Sequence, residues 1–198
     1  THTNFVVKMN SSSNYQGLFG YLGDTAHVKN LSVSGSITGN NFVGSIAGVN
    51  YGVIENVFTT ADLVGKDNVG GITGSNHGEV RVSYAIGSVR GNEHIGGISG
   101  NNTGIISDGY ASSNIYGTSY VGGIVGSNSS ELYNLYYNES KIEVSPDITG
   151  YSKPFVAIGN QGNTDSVYGV VSHKLYSGTL VFENEWTFEN SVGFYAYY

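Results

Sequence analysis

Cysteine is absent from the 198-residue chain. That excludes disulfide scaffolds, thiolate zinc sites and cysteine nucleophiles. Proline occurs only twice, at Pro146 and Pro154. Charged residues make up 12% of the chain, about half the usual share of roughly 25%. Ala, Glu, Lys and Leu are too scarce for long helices or coiled coils. No apolar run reaches about 18 residues, so no segment reads as a membrane-spanning helix. Eight basic against fifteen acidic residues give a net charge of −7, which argues against a nucleic-acid partner.

What is present points elsewhere. There are 30 Gly, 21 Asn and 25 Ser, and 13% of the residues are aromatic. That aromatic share argues against disorder. Low charge with abundant Asn, Ser, Gly and Tyr suits a secreted or cell-surface module. Any export signal is expected upstream of Thr1 or already removed.

A repeat dominates the chain. Val43-Gly44-Ser45-Ile46-Ala47-Gly48, Val69-Gly70-Gly71-Ile72-Thr73-Gly74, Ile95-Gly96-Gly97-Ile98-Ser99-Gly100 and Val121-Gly122-Gly123-Ile124-Val125-Gly126 recur every 26 residues. Gln16-Gly17-Leu18-Phe19-Gly20 is a divergent earlier copy. A fixed period of this size signals a solenoid, a propeller or an array. Aligning the copies gives columns. Ile46, Ile72, Ile98 and Ile124 form one, and Val43, Val69, Ile95 and Val121 another. Ile54, Val80, Ile106 and Leu132 form a third, and Ile37, Leu63, Val89 and Ile115 a fourth. Gly48, Gly74, Gly100 and Gly126 share a glycine column, and Asn50, Asn76, Asn102 and Asn128 an asparagine column.

β-branched residues at fixed positions mark short strands facing one core. Asn-x-Gly is turn chemistry, and stacked asparagines can hydrogen-bond along their column. The expectation is an all-β fold: a β-solenoid of about five 26-residue coils with a non-repeat β cap at the C-terminus. Helical repeats need glycine-free amphipathic stretches, and a propeller blade needs about 40 residues; neither fits. The expected division is an N-terminal strand or cap over 1–14, the solenoid over 15–140 and the cap or a small β domain over 141–198. Ile72 and Ile98 should be buried neighbours. Gly74 and Gly100 should sit where a Cβ clashes or φ is positive.

The Val-Gly-Gly-Ile-x-Gly-x-Asn repeat, with Gly17-Leu18-Phe19-Gly20 at its first copy, resembles the GLUG-motif family over about residues 15–140. That resemblance implies secreted or surface-anchored bacterial proteins: large adhesins, haemagglutinin-like proteins and non-catalytic regions of immunoglobulin A-specific metallopeptidases. It brings no catalytic residues.

From Tyr151 the fixed period is lost. Thr179-Leu180-Val181-Phe182 and Trp186-Thr187-Phe188 read as strands, and Phe194–Tyr198 is aromatic. The open end of a solenoid needs cover, so the tail reads as a cap or as an assembly domain.

Catalytic patterns are missing. There is no HExxH and no GxSxG before a helix. His2, His27, His77, His94 and His173 are scattered and read as surface residues. His77 shares a column with Tyr51 and Thr103; His94 shares one with Phe42, Asn68 and Tyr120. Asp67 and Glu93 are column neighbours, about one coil spacing apart, which admits a carboxylate pair, a calcium site with Asn41, or solvated turn charges. The solvated reading is preferred. Glu55 and Arg81 should form a surface ion pair. No metal and no cofactor are expected.

One aromatic column stands out. Phe58, Tyr84, Tyr110 and Tyr136 occupy one position, with Tyr137 beside the last. Such a strip is either a stabilising ladder or a binding surface. The parity of Asn56-Val57-Phe58-Thr59 leaves open whether the rings point inward.

The functional expectation is a non-catalytic bacterial surface module, an adhesin-like stalk or binding domain for a host or cell-surface protein or glycan. The rivals are a substrate-recognition region of a surface metallopeptidase, a filament subunit pairing through Thr3–Met9 or the C-terminus, and a carbohydrate-active enzyme.

Overall fold

The computed structural model describes residues 2–138, 141–144, 157–160, 167–170, 187–188 and 196–197. The chain is an all-β solenoid of about five turns. Each turn visits three parallel sheets. The long sheet stacks Thr3–Asn10, His27–Thr38, Val53–Thr59, Glu79–Arg90, Ile105–Gly117, Leu132–Asn138 and Val167–Val170, in that order. A second sheet stacks Val43–Gly44, Asp67–Gly70, Glu93–Gly96 and Ser119–Gly122. The third stacks Phe19–Leu22, Ala47–Asn50, Thr73–Asn76, Ser99–Asn102 and Val125–Asn128.

The repeat sets the register. Val43 pairs with Val69, Val69 with Ile95 and Ile95 with Val121. Equivalent residues therefore lie on top of one another. The Ile46, Ile72, Ile98 and Ile124 side chains are fully buried, as are Ile54, Ile106, Ile37 and Leu63. No turn has enough apolar surface to hold itself together, so each depends on its neighbours. Gly74 and Gly100 have no positive φ. A Cβ on Gly74 would instead lie 2.5 Å from the Phe42 carbonyl carbon, in collision with backbone.

The asparagine column is a directional ladder inside the fold. Asn50 Nδ2 donates to Asn76 Oδ1, Asn76 to Asn102, and Asn102 to Asn128, each at 2.8 Å. The same amides donate to Gly52, Gly78, Gly104 and Ser130 carbonyls two residues on. Burial of four amides is tolerable only because these groups are paired. Leu22 stands in the same register as Asn50, so the ladder starts at the second turn.

Among the described residues, ten that are not glycine have positive φ, and all fall in two columns. Asn30, Asn56, Val82, Asp108 and Asn134 bend the long strands. Tyr15, Phe42, Asn68, His94 and Tyr120 turn the chain into the second sheet. Asn and Asp tolerate the left-handed region, whereas β-branched residues resist it. In the first column Asn56 Nδ2 donates to Asn30 Oδ1 at 2.7 Å and Asn134 Nδ2 to Asp108 Oδ1 at 3.0 Å. Val82, at φ 47, interrupts that series. Val82→Asn should relieve strain and stabilise by about 1 kcal/mol, raising the melting midpoint by about 2–4 °C. Calorimetry on the pair checks this; an unchanged or lower midpoint would refute it.

Stacking continues past residue 140. Ile142–Val144 pairs with Ile115–Gly117. Ile124 N donates to Ala157 O at 2.9 Å, and Gly159 N to Val125 O at 3.0 Å. Asn160 Nδ2 donates to Asn128 O, and Asn128 N to Asn160 Oδ1, each at 3.0 Å with an offset of 32 residues. Val167–Val170 then pairs with Leu135–Asn138. The offset is longer than 26, so a fixed period misses this turn. Thr187–Phe188 pairs antiparallel with Ala196–Tyr197. Thr179–Phe182, Trp186, Phe194, Tyr195, Tyr198, His173, Pro146 and Pro154 lie outside the described residues.

Candidate functional site

The expected aromatic strip lies on the long sheet. Its neighbours settle the parity. Ala85 and Ala111 are buried beside Gly71 and Gly97, and the Tyr137 ring lies over Gly123, where a Cβ would be 2.1 Å from its Cδ2. Position 137 therefore faces the core, and Phe58, Tyr84, Tyr110 and Tyr136 lie on the opposite face of the sheet. Phe58 and Tyr84 stack at 4.1 Å between ring centroids. Burial pushes the Tyr84 phenol up to about 12, so it stays protonated. Tyr110 is only 3% exposed and Tyr137 5%. Neither offers a free ring face, and Tyr137 belongs to the core.

Asp67 and Glu93 are paired in register, as the column placed them. Lys66 Nζ is 3.6 Å from Asp67 Oδ2, and His94 Nε2 is 4.0 Å from Glu93 Oε1. Among the described residues, no three His, Asp or Glu side chains gather as metal ligands would. Glu55 Oε2 lies 3.1 Å from Arg81 Nη2 and 2.7 Å from His27 Nε2. Arg81, then His27, hold the Glu55 carboxyl below its ordinary range by hydrogen bonding. Arg81 also meets Glu79 at 3.1 Å. These partly exposed charges answer one another and add little stability.

A more exposed set of aromatic rings lies elsewhere. A groove with a volume of about 480 Å³ is lined by Tyr15, Gly20, Tyr21, Phe42, Val49, Tyr51 and His77. That volume is within the usual range for small-molecule sites. One wall is the Tyr15–Phe42 stack, with centroids 5.1 Å apart and planes 6° from parallel. The other wall is Tyr21–Tyr51 at 5.4 Å and Tyr51–His77 at 4.5 Å. Tyr15, Tyr21 and Tyr51 are 49%, 61% and 43% exposed.

The repeat builds this groove. Tyr15 and Phe42 occupy the left-handed corner at φ 59 and 60. Each corner packs over the glycine of the following turn. A Cβ on Gly48 would be 2.6 Å from Tyr15 Cα, and one on Gly74 equally close to Phe42 Cα. Asn68 makes the same corner with a residue suited to it. Bulky rings at φ > 0 are therefore not required by the bend. Strain of this kind concentrates at functional positions.

His77 closes one end of the groove. Its Nε2 is 3.1 Å from Ser75 Oγ and its Nδ1 2.7 Å from Thr103 Oγ1. Burial lowers its pKa. The unfolded chain then binds the extra proton first as pH falls. The stability this group contributes is intact above the unfolded value near 6.5 and is lost as pH drops through the folded value. His77→Asn should therefore lose less of its melting midpoint than the wild type between about pH 7.5 and about pH 5. Equal losses would contradict it.

No family model matches the chain, and no curated protein matches it. In fold it is similar to the crystal structure of a "putative immunoglobulin A1 protease" from Bacteroides ovatus, with a TM-score of 0.66 and 25% identity. The match covers 88% of this chain and 61% of that one, so this chain spans less than two thirds of its neighbour's length. The link to immunoglobulin A protease regions thus has a structural counterpart, while the GLUG resemblance rests on the repeat residues alone.

Sequence reasoning did not single out Tyr15, Tyr21, Phe42 and Tyr51 as a site. The signal was present. Tyr51 and His77 share one column, and Phe42, His94 and Tyr120 another. His94 and Tyr120 do stack, at 4.8 Å. These columns appear as scattered histidines until the sheets bring two of them face to face.

Proposed function

We propose that the chain is a non-catalytic extracellular binding module of a bacterial surface protein, and that the aromatic groove is its ligand site. One observation carries this reading: three exposed tyrosines and Phe42 line a single groove of ligand size. The neighbouring structure favours a second, narrower reading, in which the module is the substrate-recognition region of a surface protease and its ligand is immunoglobulin A1.

Biolayer interferometry with immobilised chain and soluble immunoglobulin A1 separates the two. Binding without cleavage, weakened by Tyr21→Ser, supports the protease-associated reading. Absence of binding leaves the adhesin-like reading in place. Cleavage of the antibody or of a glycan by the purified chain, abolished by Asp67→Asn or Glu93→Gln, would overturn both.

A further inference from the structure

We propose that the groove binds an uncharged saccharide, gripping one sugar ring between the Tyr15–Phe42 stack and the Tyr21–Tyr51–His77 stack. This rests on reading the chain as a binding module, and it assigns the chemistry of the ligand.

Charge is the first argument. None of the seven lining residues is Asp, Glu, Lys or Arg. Burial disfavours the charged form of His77. An acidic or basic ligand would lose water in the groove and gain no counter-charge. The charged side chains that follow Tyr51 and His77 on the long sheet, Glu55, Glu79 and Arg81, are engaged with one another.

Shape is the second. The walls are aromatic rings that carry the phenol hydroxyls of Tyr15, Tyr21 and Tyr51. A pyranose has the matching form, with a C–H face for a ring and a rim of hydroxyls. Amphipathic aromatic rings combine apolar contact with one polar handle.

The third lies further along the solenoid. In the register of Val49, beyond the buried Ser75, stand Asn101 and Ser127. In the register of Phe42 stand Asn68, His94 and Tyr120, and Thr103 lies one turn beyond His77. The hydroxyls and amides among these groups both donate and accept. They recur at the coil spacing of about 4.8 Å. Hydroxyls of successive sugar units also donate and accept. A proline-rich peptide would pack on the same tyrosines, but its backbone offers mainly acceptors. The run of mixed donors and acceptors therefore favours a saccharide chain over a polyproline helix.

The test is an array of neutral glycans, sialylated and sulfated glycans, and proline-rich peptides, probed with the purified chain. Calorimetric titration of the best-bound neutral oligosaccharide follows, with Tyr51→Ala, Tyr21→Ser and Tyr133→Ser as variants. Tyr133 is exposed and lies outside the groove lining. Unchanged melting midpoints show that the groove variants remain folded. The expected result is binding of a neutral glycan, about tenfold or more weaker in Tyr51→Ala and Tyr21→Ser and unaltered in Tyr133→Ser. Binding of acidic glycans or peptides alone, weakened by the groove variants, would overturn the saccharide assignment and leave the groove as the site. Glycan binding insensitive to both groove variants would overturn the groove itself. Failure to bind any saccharide at millimolar concentration would also overturn the proposal.

Discussion

Gly100→Val should leave the chain unfolded or insoluble. A Cβ at this position would lie 2.5 Å from the carbonyl carbon of Asn68 and from Val69 N. Those atoms are backbone, so no rotamer change relieves the contact. Asn68 is itself fixed in a left-handed corner at φ 57. Its N-terminal neighbours are held across the turns too, with Lys66 N donating to Asn40 O at 2.7 Å. Relief would require opening the spacing between turns. Gly74 and Gly126 carry equivalent corners, so the distortion cannot spread into slack. Ordinary overpacking costs about 1–3 kcal/mol. Here the collision is with main chain, and the two γ-methyls of valine add to it. The total approaches the whole stability of a typical domain, about 5–15 kcal/mol. Gly23→Ala is the matched control, because nothing lies within 4 Å of its Cβ position. Thermal unfolding followed by circular dichroism checks both. A Gly100→Val protein melting within a few degrees of Gly23→Ala would sink the argument.

The same glycine column shows how far the sequence could be read. Its period places the strands, the core and the asparagine ladder, because equivalent residues in a parallel stack occupy equivalent environments. It does not say why the glycines are there. Gly74 and Gly100 are needed for close approach by the preceding corner, not for a positive φ. Parity fails for a related reason. The left-handed residues Asn56, Val82, Asp108 and Asn134 each break the alternation of the long strand. Counting inward and outward across that break gives no answer for Phe58 and Tyr84, whereas Gly123 beneath Tyr137 settles it. The turn containing Ala157–Asn160 and Val167–Val170 escaped because its offset exceeds the repeat. The groove escaped because its walls come from different sheets. Tyr15 and Tyr21 belong to the divergent first copy, where column counting is weakest.

Ile98→Asp should prevent folding, and Ile98→Ala should cost about 2–5 kcal/mol. Ile98 is fully buried between Ile72 and Ile124. Ile72 N donates to Ile98 O at 2.9 Å, and Ile98 N donates to Ile124 O at 2.8 Å. The side chain therefore cannot swing out without breaking both inter-turn bonds. Its Cδ1 reaches within 2.9 Å of where a Gly109 Cβ would sit, so the site is closed on the far side as well. The described buried core contains no Lys or Arg that could pair with a carboxylate. An aspartate would have to be protonated or leave an unpaired buried charge, and either costs several kcal/mol beyond the lost apolar contacts. Position along the solenoid adds to the effect. Stability in a stack of repeats is a sum of turns and nearest-neighbour interfaces. A broken central turn removes two interfaces, whereas a broken terminal turn removes one. Leu22→Asp, in the first turn, should therefore be less damaging than Ile98→Asp. Urea unfolding of Ile98→Ala, and soluble yield of the two aspartate variants, check the order. Equal tolerance of Asp at both positions would show that the isoleucine column is not the core of the stack.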